Sequence, residues 1–111
     1  MEQVDTFIAT IYCGLRAGYS DKITDLDLIR DWCKSYCNSV GFCVSFTPTE
    51  FIYKDGSEPG VIIGIINYPR FPKDKKDLKS IALYIATKVA TISEQKRISI
   101  LFPDTTITLE I

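Results

Sequence analysis

Apolar and polar residues alternate through "TFIATIYCGL" (6–15): Phe7, Ala9, Ile11, Cys13 and Leu15 fall on one face, Ile8, Thr10 and Tyr12 on the other. A period of two predicts a strand. "RAGYSDKI" reads as a loop. Thr24 and Asp27 form a capping-box pattern, and Leu26, Ile29, Cys33, Tyr36, Cys37 and Val40 then recur at helical spacing. Gly41 ends that helix as a left-handed C-cap. Residues 42–53 predict a second strand, with Phe42, Val44 and Phe46 alternating with Cys43, Ser45 and Thr47. Pro48 places it at an edge or a bulge. "KDGSEPG" (54–60) reads as a turn, and "VIIGIINY" (61–68) is apolar on both faces. That run fits a central strand covered on both sides, or one with a face meeting another subunit. Residues 73–95 predict a second helix, with Leu78, Ile81, Ala82, Ile85, Val89 and Ile92 as its buried stripe. Pro72 serves near its first position. Strands at 97–102 and 107–111 flank a turn at Pro103-Asp104.

The order β-α-β-β-α-β plus a terminal strand predicts one α+β domain over residues 1–111, with a ferredoxin-like antiparallel sheet. Right-handed crossovers put the third strand between the first and second, and the fourth outside the first. Both helices then cover one face. The other carries Ile8, Thr10, Tyr12 and half of the 61–68 run, too apolar for a solvated face, which predicts a homo-oligomer built through it. "GLRAGYS" falls at one end of the sheet beside the 54–60 turn, and "NYPRFP" (67–72) at the other beside Gly41. A site using both segments needs two subunits.

Composition narrows the chemistry. The 111 residues carry 13 basic and 14 acidic side chains, so no bulk charge favours nucleic acid. No apolar run approaches the roughly 18 residues that span a bilayer. The N-terminus is acidic and lacks an apolar signal core, which predicts a cytosolic protein. There are four cysteines and no histidine. Cytosolic cysteines are thiols, and those at 13, 33, 37 and 43 do not converge on a metal, so neither metal nor cofactor is expected. Cys33 and Cys37 read as small buried hydrophobes. No catalytic constellation is recognisable, and Glu50, Asp55 and Glu58 read as exposed turn acids.

Two segments suggest ligand contacts. Arg16, near Tyr12 and the start of the first helix, suits an anion. In "NYPRFP", a strand handing over to a helix accounts for the prolines. It leaves Tyr68, Arg70 and Phe71, beside Asn67, unexplained. Stiff aromatics with a guanidinium suit a stacked base and a phosphate, and Lys73, Lys75 and Lys76 add local positive charge.

The stretches "ATIYCGLRAGYS", "CVSFTPTEFIYKDGSEPGVIIGIINYPRFP" and "RISILFPDTTITLE" resemble a group of small bacteriophage proteins with a YxGL, TPTxFIY, GxINYPRFP pattern. A valine often stands there at the position of Cys13, which argues against cysteine-dependent chemistry. The resemblance implies a phage product acting in the host bacterial cytoplasm. The leading expectation is a non-enzymatic module that sequesters a small anionic, nucleotide-derived ligand as a counter-defence factor. Arg16, Tyr68, Arg70, Phe71, Tyr12 and Asn67 are its expected contacts. One alternative is an inhibitor that docks a host or defence protein on the 47–53 edge or the apolar sheet face; a second is a metal-independent phosphodiesterase.

Overall fold

The alternation in the first segment becomes strand β1 (Ile8–Gly14) at the centre of the sheet. Ala9, Ile11 and Cys13 are fully buried, whereas Ile8 is 53% exposed. A computed structural model describing residues 1–111 then gives α1 (Leu26–Val40), β2 (Ser45–Tyr53), β3 (Gly56–Ile66), α2 (Lys75–Ile92), β4 (Arg97–Leu101) and β5 (Thr106–Glu110). The five strands form one antiparallel sheet in the order β2-β3-β1-β4-β5. β3 lies between β1 and β2, and β4 lies on the other side of β1.

Pairing of β1 with β3 runs from Ile8 opposite Ile66 to Gly14 opposite Gly60. It brings Ala9, Ile11 and Cys13 level with Ile65, Ile63 and Val61 on one face, where all six are fully buried. Ile98 and Ile100 of β4 extend that layer. α2 covers it with Leu78, Ile85 and Val89, and with Ala82, Ala86 and Ala90, whose small side chains let the helix approach the sheet closely. From α1, Ile29 and Cys33 join the core, which Phe7, Leu15, Phe42 and Phe102 extend. Ile8, Thr10, Tyr12, Ile62 and Ile66 fall on the opposite face, which no helix covers.

Several boundaries differ from the sequence reading. Asp25, not Thr24, caps α1: its carboxylate accepts the Asp27 amide at 2.9 Å. Thr24 is turned inward, and its hydroxyl donates to the Ser93 carbonyl at 3.4 Å. Gly41 does close α1, with φ of 70°. The turn expected over residues 54–60 is shorter than that. Only Lys54 and Asp55 turn, with Asp55 left-handed at φ 63°, and β3 resumes at Gly56. Pro59 sits within β3. Its carbonyl accepts the Leu15 amide at 2.9 Å, so its missing N–H lies on the same side, just past the last β1–β3 pair. Pro48 lies in β2, an edge strand as expected. α2 spans Lys75–Ile92 rather than 73–95 and is capped by Asp74, which leaves Pro72 outside the helix.

Replacing Asp25 with alanine is expected to lower unfolding stability by about 1 kcal/mol, the usual worth of an N-cap side chain. Urea titration followed by circular dichroism measures this. An unchanged midpoint would show that the Asp25 carboxylate contributes nothing.

Candidate functional site

At the end of the sheet where β1 stops, two strand glycines make room for larger neighbours. A Cβ at Gly60 would stand 2.2 Å from the Phe51 ring, so that ring lies across bare backbone. One at Gly14 would stand 2.9 Å from Oε2 of Glu58 and 2.8 Å from Oε1 of Gln95. Phe51 and Glu58 are directly opposed in the β2–β3 ladder, and Tyr12 meets Phe51 edge-on with ring centroids 6.1 Å apart.

Two adjoining hollows share Glu58, Gln95 and Arg97. One, of about 330 Å³, continues over Tyr12, Phe51 and Ser99. The other, of about 510 Å³, is lined by Arg16, Tyr53 and Lys96. Together they form a trough from the open sheet face round to the loop after β1. Its charges are unequally engaged. Arg97 pairs with Glu110 at 2.9 Å, and the Arg16 guanidinium donates to the Ser57 carbonyl at 3.2 Å and lies 3.7 Å from Asp21. Glu58 takes only the Arg16 amide, on Oε2 at 3.3 Å, and neither it nor Lys96 forms an ion pair. Gln95 ties the wall to the end of α2, donating to the Arg16 carbonyl at 2.7 Å and the Ser93 carbonyl at 3.4 Å. The trough therefore offers one carboxylate and one ammonium beside two aromatic rings.

The six expected contacts separate. Arg16 and Tyr12 line this trough. Asn67, Tyr68, Arg70 and Phe71 lie at the other end of β3, about 33 Å away along ten residues of strand. Asn67 is occupied structurally. Its side-chain amide donates to the Asp5 carbonyl at 2.9 Å, and its oxygen accepts the Lys73 amide at 3.1 Å. Tyr68 to Phe71 is a turn closed by the Phe71 amide on the Tyr68 carbonyl at 3.0 Å, with Pro69 at its favoured second position. The Phe71 ring lies beside Gly41, where an added Cβ would stand 3.8 Å from it, and the exposed Arg70 lies over the Phe71 ring at 5.5 Å. The neighbouring Cys43 thiol, with some burial, raises the Tyr68 pKa.

Glu58, Phe51 and Gln95 were not expected as site residues. Glu58 in particular is not an exposed turn acid but a half-buried strand residue. Its signal was weak: the period of two continues through 56–60, masked by Gly56, Pro59 and Gly60.

The thiols serve the core rather than this site. Burial pushes Cys13 up to about 11, against a hydrogen bond with Ser93 at 3.3 Å, and pushes Cys33 up to about 12.

The fold and trough define a small α+β domain with an open-faced pocket whose two hollows fall within the size range of small-molecule sites. No protein-family model matches the chain, and no curated protein matches it in sequence. Solved structures do share its fold. One is a phage SAM lyase in complex with S-methyl-5'-thioadenosine, with a TM-score of 0.75 and 19% identity, covering all of this chain and 95% of that one. A phage SAM lyase in the apo state gives a TM-score of 0.74 and 20% identity over the same shares.

Because the folded pKa of Cys13 lies above its unfolded value of 9.0, the unfolded chain loses this proton first as pH rises. The contribution is intact below pH 9 and declines towards pH 11 at about 1.4 kcal/mol per unit. Urea unfolding between pH 8 and 11 is expected to show this decline, and Cys13→Val to flatten it by that slope while changing stability at pH 7 by less than about 1.5 kcal/mol. An identical alkaline slope in the variant would refute the assignment.

Proposed function

We propose that this chain is a phage-encoded counter-defence protein that binds S-adenosylmethionine in the Glu58 trough and cleaves it, releasing S-methyl-5'-thioadenosine. The observation that carries the reading is the unpaired Glu58 carboxylate held over Gly14, facing the same trough as Lys96 and the Tyr12–Phe51 rings. A zwitterionic amino-acid group on an aromatic nucleoside matches that set: carboxylate to Lys96, ammonium to Glu58, base on the rings. The strand order supports the ferredoxin-like assignment, and the shared fold of the phage lyases supports the substrate.

The chemistry suits a chain with no histidine. When the substrate's own carboxylate attacks its γ-carbon and the carbon–sulfur bond breaks, a lactone of the amino-acid fragment and neutral methylthioadenosine form, and the departing thioether needs no proton from a general acid. The sulfonium also loses its charge as the carbon–sulfur bond breaks. A carboxylate pressed against it would stabilise the ground state more than the transition state. Glu58 is therefore assigned to the α-ammonium, whose charge does not change. This reading replaces the purely anionic ligand suggested by Arg16 and the "NYPRFP" residues with a zwitterionic one, and keeps Arg16 and Tyr12 as contacts. Self-association belongs to the open sheet face, where Ile8, Ile66 and Leu101 remain 53%, 41% and 37% exposed.

Isothermal titration with S-adenosylmethionine, S-adenosylhomocysteine and methylthioadenosine tests the assignment. Glu58→Gln is expected to weaken the first two by about 10- to 100-fold, the worth of a charged hydrogen bond, and to leave methylthioadenosine within about threefold. A loss confined to S-adenosylmethionine would move Glu58 to the sulfonium. No binding of any of the three would sink the proposal, and binding without release of methylthioadenosine on chromatography would reduce it to sequestration.

A further inference from the structure

The "NYPRFP" segment is not used by the trough, and a second hollow lies beside it. On α1, Arg30, Cys33, Lys34 and Cys37 follow one another at i, i+3, i+4 and i+7 and so share a stripe. That stripe faces Phe42 and Phe46 across a hollow of about 380 Å³, within the size range of small-molecule sites. Side-chain volume explains why it is not filled. α1 turns its large rings the other way: Trp32 stacks on Tyr36 at 5.2 Å, and Tyr36 packs on Tyr84 of α2 at 5.5 Å. Towards β2 the helix presents thiols, where leucine or isoleucine would close the gap.

The rim carries charge of one sign. Arg30 and Lys34 line the hollow and no acid does. The Arg30 guanidinium lies 5.1 Å over the Phe46 ring and is paired with Asp27 on the helix surface. Lys34 has no ion-pair partner. Lys73 lies 5.9 Å over the Phe42 ring. The walls are neutral, because burial raises both Cys33 and Cys37. Of the "NYPRFP" residues, Tyr68 neighbours the hollow through Cys43, one of its lining residues.

We propose that this hollow is a second ligand site, taking a small amphipathic anion. Its flat apolar body lies between Phe42 and Phe46, and its carboxylate or sulfonate meets Lys34 and Arg30. The site is independent of the Glu58 trough, which lies at the opposite end of β3 and draws on none of the same residues.

The test uses 8-anilinonaphthalene-1-sulfonate as the probe. Its emission is expected to rise to saturation at one molecule per chain, with energy transfer from Trp32, the only tryptophan. The surface variant Lys34→Gln is expected to weaken it about tenfold, one charge-assisted contact. Cys37→Phe, shown by circular dichroism to remain folded, fills the hollow and is expected to abolish binding. Glu58→Gln leaves the probe affinity unchanged. The uncharged N-phenyl-1-naphthylamine is expected to bind at least tenfold more weakly. Non-saturating emission, unchanged affinity in either hollow variant, or equal binding of the uncharged probe would overturn the proposal. Should Cys37→Phe unfold, Lys34→Gln and the uncharged probe decide the matter alone.

Discussion

The register between β1 and β3 is the constraint on which everything else rests. Ala9, Ile11 and Cys13 stand level with Ile65, Ile63 and Val61, and all six are sealed beneath the helices. A slip of one residue would carry them to the uncovered face and expose the whole set at once. The same register sets Gly14 opposite Gly60, and it aims Glu58 over the first while the Phe51 ring crosses the second. Hydrophobic burial on one side of the sheet thus places a carboxylate and an aromatic ring on the other, without any interaction between them being required to do so.

Much of this was legible in the chain because side-chain alternation and helical spacing are direct consequences of backbone geometry. The seven elements, the edge position of β2 and the Gly41 cap all follow from such local rules. The failures are also local. Gly56, Pro59 and Gly60 are turn formers by composition, yet they lie in β3 because Pro59 has its missing donor beyond the end of β1 and Gly60 accepts a ring in place of a side chain. Adjacent Thr24 and Asp25 are both competent caps, and only the inward rotation of Thr24 towards Ser93 decides between them. Such decisions depend on residues far away in sequence, which no local pattern contains.

The candidate site was the least legible part. Arg16 and Tyr12 were recognised by type, but Glu58 looked like any exposed acid until its strand placed it over Gly14. The conspicuous motif had the opposite fate. Asn67 uses its carboxamide to tie the N-terminal segment to the start of the α2 approach, and the prolines shape a turn. Conspicuous residue types mark a demanding position in the chain, and the demand here is largely architectural.

β2 and β3 continue past the point where β1 ends, so the sheet narrows there to two strands closed by the Lys54–Asp55 turn. A two-stranded ribbon twists and bends more readily than a sheet paired on both sides. Tyr53, Phe51 and Glu58 ride on that ribbon, whereas Tyr12, Ser99 and Gln95 belong to the braced body of the molecule. The trough accordingly has one stiff jaw and one compliant jaw. Arg16 is the tether between the two, through its bonds to Ser57 and Glu58, and for the ligand proposed above a difference in girth would register as bending of the ribbon against that tether rather than as steric exclusion.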